Sequence, residues 1–165
     1  VRKIDRINVH CTATRVGRPY TIADIDRDHK ARGFGKGASR PCGYHYVIYA
    51  DGTVHIGRQE YEVGANAAGY NASSIGIVYV GGLDANGKPA DTRTPAQKAA
   101  LASLVRSVAR RYNVPPARIL GHRDLSPDLN GNGKVDPFEW TKVCPCFDVQ
   151  AEVPGWLPPS PSGGA

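Results

Sequence analysis

The chain has 165 residues, 41% hydrophobic and 22% charged, which suits one folded domain with a real core and excludes a disordered or low-complexity chain. No stretch approaches the roughly 20 apolar residues of a membrane helix, so membrane insertion is not expected. The net charge of +6 favours a polyanionic partner, but the basic residues are dispersed and no aromatic-interleaved Lys/Arg run occurs, so nucleic acid is not expected.

In chain order, Ile4 to Cys11 is the first strand candidate. Ile7, Val9 and Cys11 alternate with Asn8 and His10, so His10 faces away from the apolar set. Thr21 caps a helix running to about Arg32, with Asp24 in its first turn. Residues 33–41, with glycines at 33, 35 and 37, form a loop. Tyr44 to Ala50 and Thr53 to Ile56 are strands joined across Asp51-Gly52, a strong hairpin signal. Ile75 to Val80 is apolar on both alternations, as for a central strand covered on both faces. Thr94-Pro-Ala-Gln97 starts a helix with a capping box and Pro95 in the first helical position. Leu101, Leu104, Val105 and Val108 give it one buried stripe, and it should stop near Asn113. Strands and helices mix within one chain, so the expected fold is a single α/β domain with a central mixed sheet flanked by helices. Residues 1–150 make up that domain; residues 151–165, rich in Pro, Ser and Gly from Val153 onward, are expected to be a tail or the stub of a linker. The first residues lack a signal-peptide core, so no leader is expected in this chain.

A catalytic zinc site takes three protein ligands and keeps a fourth position open. The candidates are His10 at a strand end, His122 in Gly121-His-Arg-Asp124, and Cys144 in Lys142-Val-Cys-Pro-Cys-Phe-Asp148. These are far apart in sequence, so spacing alone does not join them. Cys11, Cys42 and Cys146 complete the four cysteines; both thiols of an extended Cys144-Pro145-Cys146 could face one side.

Residues 128–139, Asp-Leu-Asn-Gly-Asn-Gly-Lys-Val-Asp-Pro-Phe-Glu, place oxygen side chains at loop positions 1, 3, 5, 9 and 12 with glycine at 6, as in an EF-hand calcium loop. Asp128, Asn130, Asn132 and Glu139 would bind Ca2+ directly, the Lys134 carbonyl would add a ligand, and Asp136 would bind through water. Ser126-Pro127 interrupts the preceding helix of a full hand, and an Asn/Gly-rich turn is the alternative.

Seven segments occur in register: Val9-His-Cys-Thr-Ala-Thr14, Gly43-Tyr-His-Tyr46, Asp51-Gly-Thr-Val54, Gly69-Tyr-Asn71, Ser74-Ile-Gly76, Gly121-His-Arg-Asp124 and Lys142-Val-Cys-Pro-Cys-Phe-Asp148. Together they resemble the type 2 N-acetylmuramoyl-L-alanine amidase family, which includes phage endolysins and shares its fold with peptidoglycan recognition proteins. The resemblance spans about Ile4 to Val149. It implies a zinc amidase that cuts peptidoglycan between N-acetylmuramic acid and L-alanine, with His10, His122 and Cys144 as zinc ligands. Cys144 rather than Cys146 takes that role because the family's cysteine precedes the proline. Tyr44 and Lys142 are implied beside the metal, Lys142 to meet negative charge on the substrate oxygen and Tyr44 to hydrogen-bond there. Some relatives carry a histidine where this chain has Asn66, which can hydrogen-bond substrate but cannot shuttle a proton. The implied partner is peptidoglycan or a muropeptide at the cell wall, met by a monomer. The rival readings are a non-catalytic peptidoglycan-binding module and a regulator that binds another protein.

Overall fold

The computed structural model describes residues 1–159. Ten regular elements follow in order: β1 (Arg6–Cys11), β2 (Thr14–Arg15), α1 (Ile22–Ala31), β3 (Tyr46–Ile48), β4 (Val54–Ile56), β5 (Ser74–Tyr79), β6 (Gly82–Leu83), α2 (Pro95–Tyr112), β7 (Ile119–Gly121) and α3 (Val149–Trp156). The main sheet runs β4-β3-β5-β1-β7. Only the β3–β4 hairpin is antiparallel; β5 pairs parallel to β3 and β1, and β1 parallel to β7. The fold is therefore the expected α/β domain with a mixed central sheet.

Both faces of the sheet are covered, and the alternation of each strand decides which residue goes where. Ile7, Val9 and Cys11 of β1 join Ile75, Ile77 and Tyr79 of β5 against Leu101, Val105 and Val108 of α2. On the opposite face Val47 and Val78 pack against Ile25 of α1. The second set of alternate residues on β1 contains Asn8 and His10, both fully buried.

Local chemistry explains the boundaries. The Thr94 hydroxyl accepts the Gln97 N–H at 3.0 Å, and the Gln97 carboxamide accepts the Thr94 N–H at 3.0 Å, closing the capping box of α2. Asn113 ends α2 in the left-handed region at φ 53°. Gly52 turns the β3–β4 hairpin at φ +85°, which suits a residue without Cβ. The strands are shorter than the apolar runs: β1 begins at Arg6 rather than Ile4, and β3 covers only Tyr46–Ile48.

The chain's end departs from expectation. Residues 151–156 of the expected tail belong instead to a helix over residues 149–156, capped by Asp148, whose Oδ1 accepts the Ala151 N–H at 3.2 Å. Val149, Val153 and Trp156 recur at helical spacing and are buried in the α2 face of the core. Glu152 pairs with the buried Arg93 guanidinium at 2.6 Å. The domain therefore extends past residue 150, and the rest of the expected tail, from residue 160, lies outside the described residues. Among the described residues no helix is long and apolar enough to cross a membrane.

Candidate active site

Parallel strands open a crevice at their carboxyl ends, and the sheet register brings two histidines there. Val9 of β1 lies beside Gly121 of β7, so the next residues along, His10 and His122, become neighbours. Their ring centroids are 4.7 Å apart. His122 begins a 3-10 turn over His122–Leu125, and the Arg123 N–H donates to the Cys144 carbonyl at 2.8 Å, drawing the cysteine segment to the same place. One nitrogen from each histidine and the Cys144 sulfur all lie within 4.8 Å of one another. Among the described residues this is the group of His, Cys, Asp or Glu side chains close enough to hold a metal ion.

Hydrogen bonding sets the tautomer of His10. The Asn66 carboxamide donates through Nδ2 to the Gly43 carbonyl at 2.9 Å, which turns its oxygen toward His10. Nε2 of His10 lies 3.0 Å from that oxygen and must carry the proton. The unprotonated Nδ1 is then left facing the Cys144 sulfur at 3.8 Å. Burial and the nearby His122 push the His10 pKa down to about 3, so the ring stays neutral, as a metal ligand must be. Burial and Lys142 lower His122 as well. The Cys11 N–H donates to the Cys144 sulfur at 3.2 Å and so fixes where that sulfur points. Two neutral imidazoles and one sulfur, with a cavity on the open side, fit a catalytic zinc site.

Asn66 is itself held by its surroundings. The Asn71 carboxamide oxygen accepts the N–H groups of Asn66 and Ala67 at 3.0 and 2.9 Å. Gly76 on β5 leaves the space that the Asn66 amide fills; a Cβ there would stand 2.4 Å from Nδ2. Asn66 was expected to contact substrate. It lines the cavity, and its amide bonds both His10 and the Gly43 carbonyl, so it also fixes the orientation of the His10 ring.

The triad forms part of the wall of a cavity of about 430 Å³ that Tyr44 and Lys142 also line. The Tyr44 ring lies 5.2 Å from that of His10, and burial pushes its phenol pKa up, so it remains a proton-bearing donor. Three further residues missed in the sequence, His29, Arg32 and Phe34, also line it. His29 accepts the Gly43 N–H at 2.8 Å, and burial lowers its pKa to about 4. Its position in an amphipathic helix gave no sign of this role.

Cys146 sits in the left-handed region at φ 70°, with its sulfur 3.9 Å from that of Cys11 and 3.4 Å from the Gly82 carbonyl, and it is not part of the triad. All four cysteines are free thiols. Loop 128–139 closes on itself: Asp128 accepts the N–H groups of Gly131 and Gly133, and Glu139 accepts those of Leu129, Asn130 and Asp136. Its three carboxylates, Asp128, Asp136 and Glu139, form no metal-sized group among the described residues. The loop's base is tied where the Thr141 N–H donates to the Ser126 hydroxyl at 3.0 Å. This contact draws the two ends of the loop, and with them the His122 and Cys144 segments, together.

The sequence profile of the N-acetylmuramoyl-L-alanine amidase family matches residues 1–139. The chain belongs to this family. It is 36% identical over 145 residues to the endolysin of Enterobacteria phage K11, covering 88% of this chain and 82% of that protein. Its structure is similar to the N-acetylmuramoyl-L-alanine amidase LysC from Clostridium intestinale, with a TM-score of 0.68, 29% identity, and coverage of 93% of this chain and 85% of that one. Drosophila PGRP-LB, at 22% identity and a TM-score of 0.64 over 94% of this chain and 82% of its own, shares the fold. The profile match contains His10, Tyr44 and His122 but ends before Lys142 and Cys144.

Proposed function

We propose that this family member is an active zinc amidase that hydrolyses the amide between the lactyl group of N-acetylmuramic acid and L-alanine in peptidoglycan. The observation that carries the proposal is the gathering of His10, His122 and Cys144 in a cleft also lined by Tyr44 and Lys142. His10 through Nδ1, His122 and the Cys144 sulfur would hold the zinc, which when bound activates water and polarises the scissile carbonyl. Asn66 keeps the His10 proton on Nε2, and the Cys11 amide fixes where the Cys144 sulfur points. Lys142, exposed at the rim of the cleft, offers a cation to the developing oxyanion. Tyr44 offers a phenolic hydrogen bond to the reacting groups and restricts water at the inner wall. A binding module of the same fold would need neither three metal donors nor a cation beside them, so their joint presence favours the enzyme. We place its action at the cell wall, in line with the endolysins among its relatives.

The test is metal content with activity. Elemental analysis should find about one zinc per chain, lost in Cys144→Ala and retained in Cys146→Ser, and chelation should abolish cleavage of a soluble muropeptide until zinc is returned. Metal-free protein that still cleaves would overturn the proposal. A Ca2+ ion in loop 128–139 is a separate proposal supported by residue spacing alone; calcium titration that leaves the melting temperature unchanged would remove it.

A further inference from the structure

Three of the four cysteines meet at one place, and the proposed metal site uses only one of them. Cys11 ends β1, and its backbone holds the Cys144 sulfur, with the N–H at 3.2 Å and the carbonyl at 3.8 Å. Its own side chain points the other way, into the α2 face of the core. There its sulfur lies 3.9 Å from that of Cys146. The two sulfurs share a niche over Gly82. A Cβ on Gly82 would stand 2.5 Å from the Cys11 sulfur, and the Gly82 carbonyl lies 3.4 Å from that of Cys146. The cysteine segment is pinned in this position. The Pro145 carbonyl accepts the buried Tyr79 hydroxyl at 2.7 Å, and the Cys146 N–H donates to the Val143 carbonyl at 2.9 Å. Cys146 is held at φ 70°, a region that residues with a Cβ seldom enter. Cys42, the fourth thiol, is buried in the separate cluster beneath α1.

We propose that Cys11 and Cys146 form a disulfide when the protein folds against a disulfide oxidant, and that this bond keeps Cys144 as the free thiol at the metal site. An S–S bond needs about 2.05 Å between the sulfurs, so the pair has only a short distance to close. Cys146 is half-exposed and is the sulfur that the oxidant reaches first. It forms a mixed disulfide with one half of the oxidant and releases the other half as a thiol. The Cys11 sulfur then displaces the remaining half. Two cysteine S–H bonds break, one S–S bond forms, and the oxidant leaves as two thiols that carry both protons. The bond ties the strand that bears His10 to the segment that bears Cys144. It also removes both sulfurs that could compete with Cys144, either as metal ligands or as partners that would consume its thiol. An enzyme working at the cell wall meets an oxidising environment, where such protection matters. That protective role rests on the zinc reading; the bond itself does not.

The test starts from reduced, unfolded protein refolded in a mixture of oxidised and reduced glutathione. Free thiols are then alkylated in chelator and denaturant, and the linkage is read by peptide mass mapping. Cys11 and Cys146 should be linked, with Cys42 and Cys144 alkylated. The linked protein should melt about 5 to 15 °C above the reduced one. Cys11→Ser and Cys146→Ser should both take up zinc when folded in reductant, because neither residue is a ligand. Refolded in the oxidant, each leaves one sulfur free to pair with Cys144, and zinc uptake should fall well below that of the wild-type protein. Four alkylated thiols in the wild-type protein, or a link through Cys144 or Cys42, would overturn the pairing. Full zinc uptake by both oxidised variants would overturn the protective role. A linked pair in a protein that takes up no zinc in either redox state would uphold the bond and refute the zinc reading. Zinc uptake without the link would do the reverse.

Discussion

Removing the Asn66 side chain tests how the protein prepares its metal site. In Asn66→Ala the acceptor 3.0 Å from His10 Nε2 disappears, and with it the reason for Nδ1 to be the free nitrogen. The ring can then take either tautomer and rotate toward the space that the amide filled beside Gly76. Loss of such an orienting partner typically weakens metal affinity 10- to 100-fold, or about 1.4 to 2.7 kcal/mol. Asn66→Asp supplies the control. It keeps an acceptor for Nε2–H but loses the donor to the Gly43 carbonyl, so zinc affinity should stay near wild type while folding stability drops. Both are measured by competition against a chelator of known affinity, alongside a thermal melt. Zinc affinity unchanged in Asn66→Ala, or reduced equally in Asn66→Asp, would refute the tautomer argument.

Trp156→Ala should cost about 3 to 5 kcal/mol of stability as a large buried aromatic. Truncation after residue 150 should cost more, because it also strips Glu152 from the buried Arg93; an unchanged melting temperature in either would show that α3 is dispensable. Acid should destabilise the fold early. His45 and His29 each accept a backbone N–H, and burial lowers both from 6.5 to about 4. Their contribution is complete above pH 6.5 and is lost as pH falls toward 4, about 2 kcal/mol for His45 by pH 5 and less for His29, whose ring meets the cleft. Urea unfolding at pH 7.5 and 5 measures this, and equal stabilities would contradict it. Lys142→Ala should lower kcat about 100- to 1,000-fold with zinc content preserved, and Tyr44→Phe should lower it less. Full activity in Lys142→Ala would remove its proposed role.

The elements that could be read from the sequence were those with strong local chemistry. The Ile7-Val9-Cys11 alternation, the Asp51-Gly52 turn and the Thr94–Gln97 box each act within a few residues, and each folds as its pattern implies. β7 escaped because three residues between a proline pair and His122 are too few to show a period. α3 was hidden by Pro154 and Gly155, which read as linker composition, although Val149, Val153 and Trp156 were spaced for a helix. At the site, His10, His122 and Cys144 were joined only by resemblance, since their meeting depends on parallel pairing of β1 with β7. The role of Asn66 could not be read at all, because it rests on long-range contacts with His10 and Gly43.

The most direct test of the account is digestion of purified sacculi by the zinc-loaded protein beside its Cys144→Ala variant, with the soluble products identified by mass spectrometry. The account predicts free stem peptides beginning with L-alanine from the wild-type protein and none from the variant. Sacculi that bind the protein but release no such peptides would contradict it and leave a binding module of the same fold.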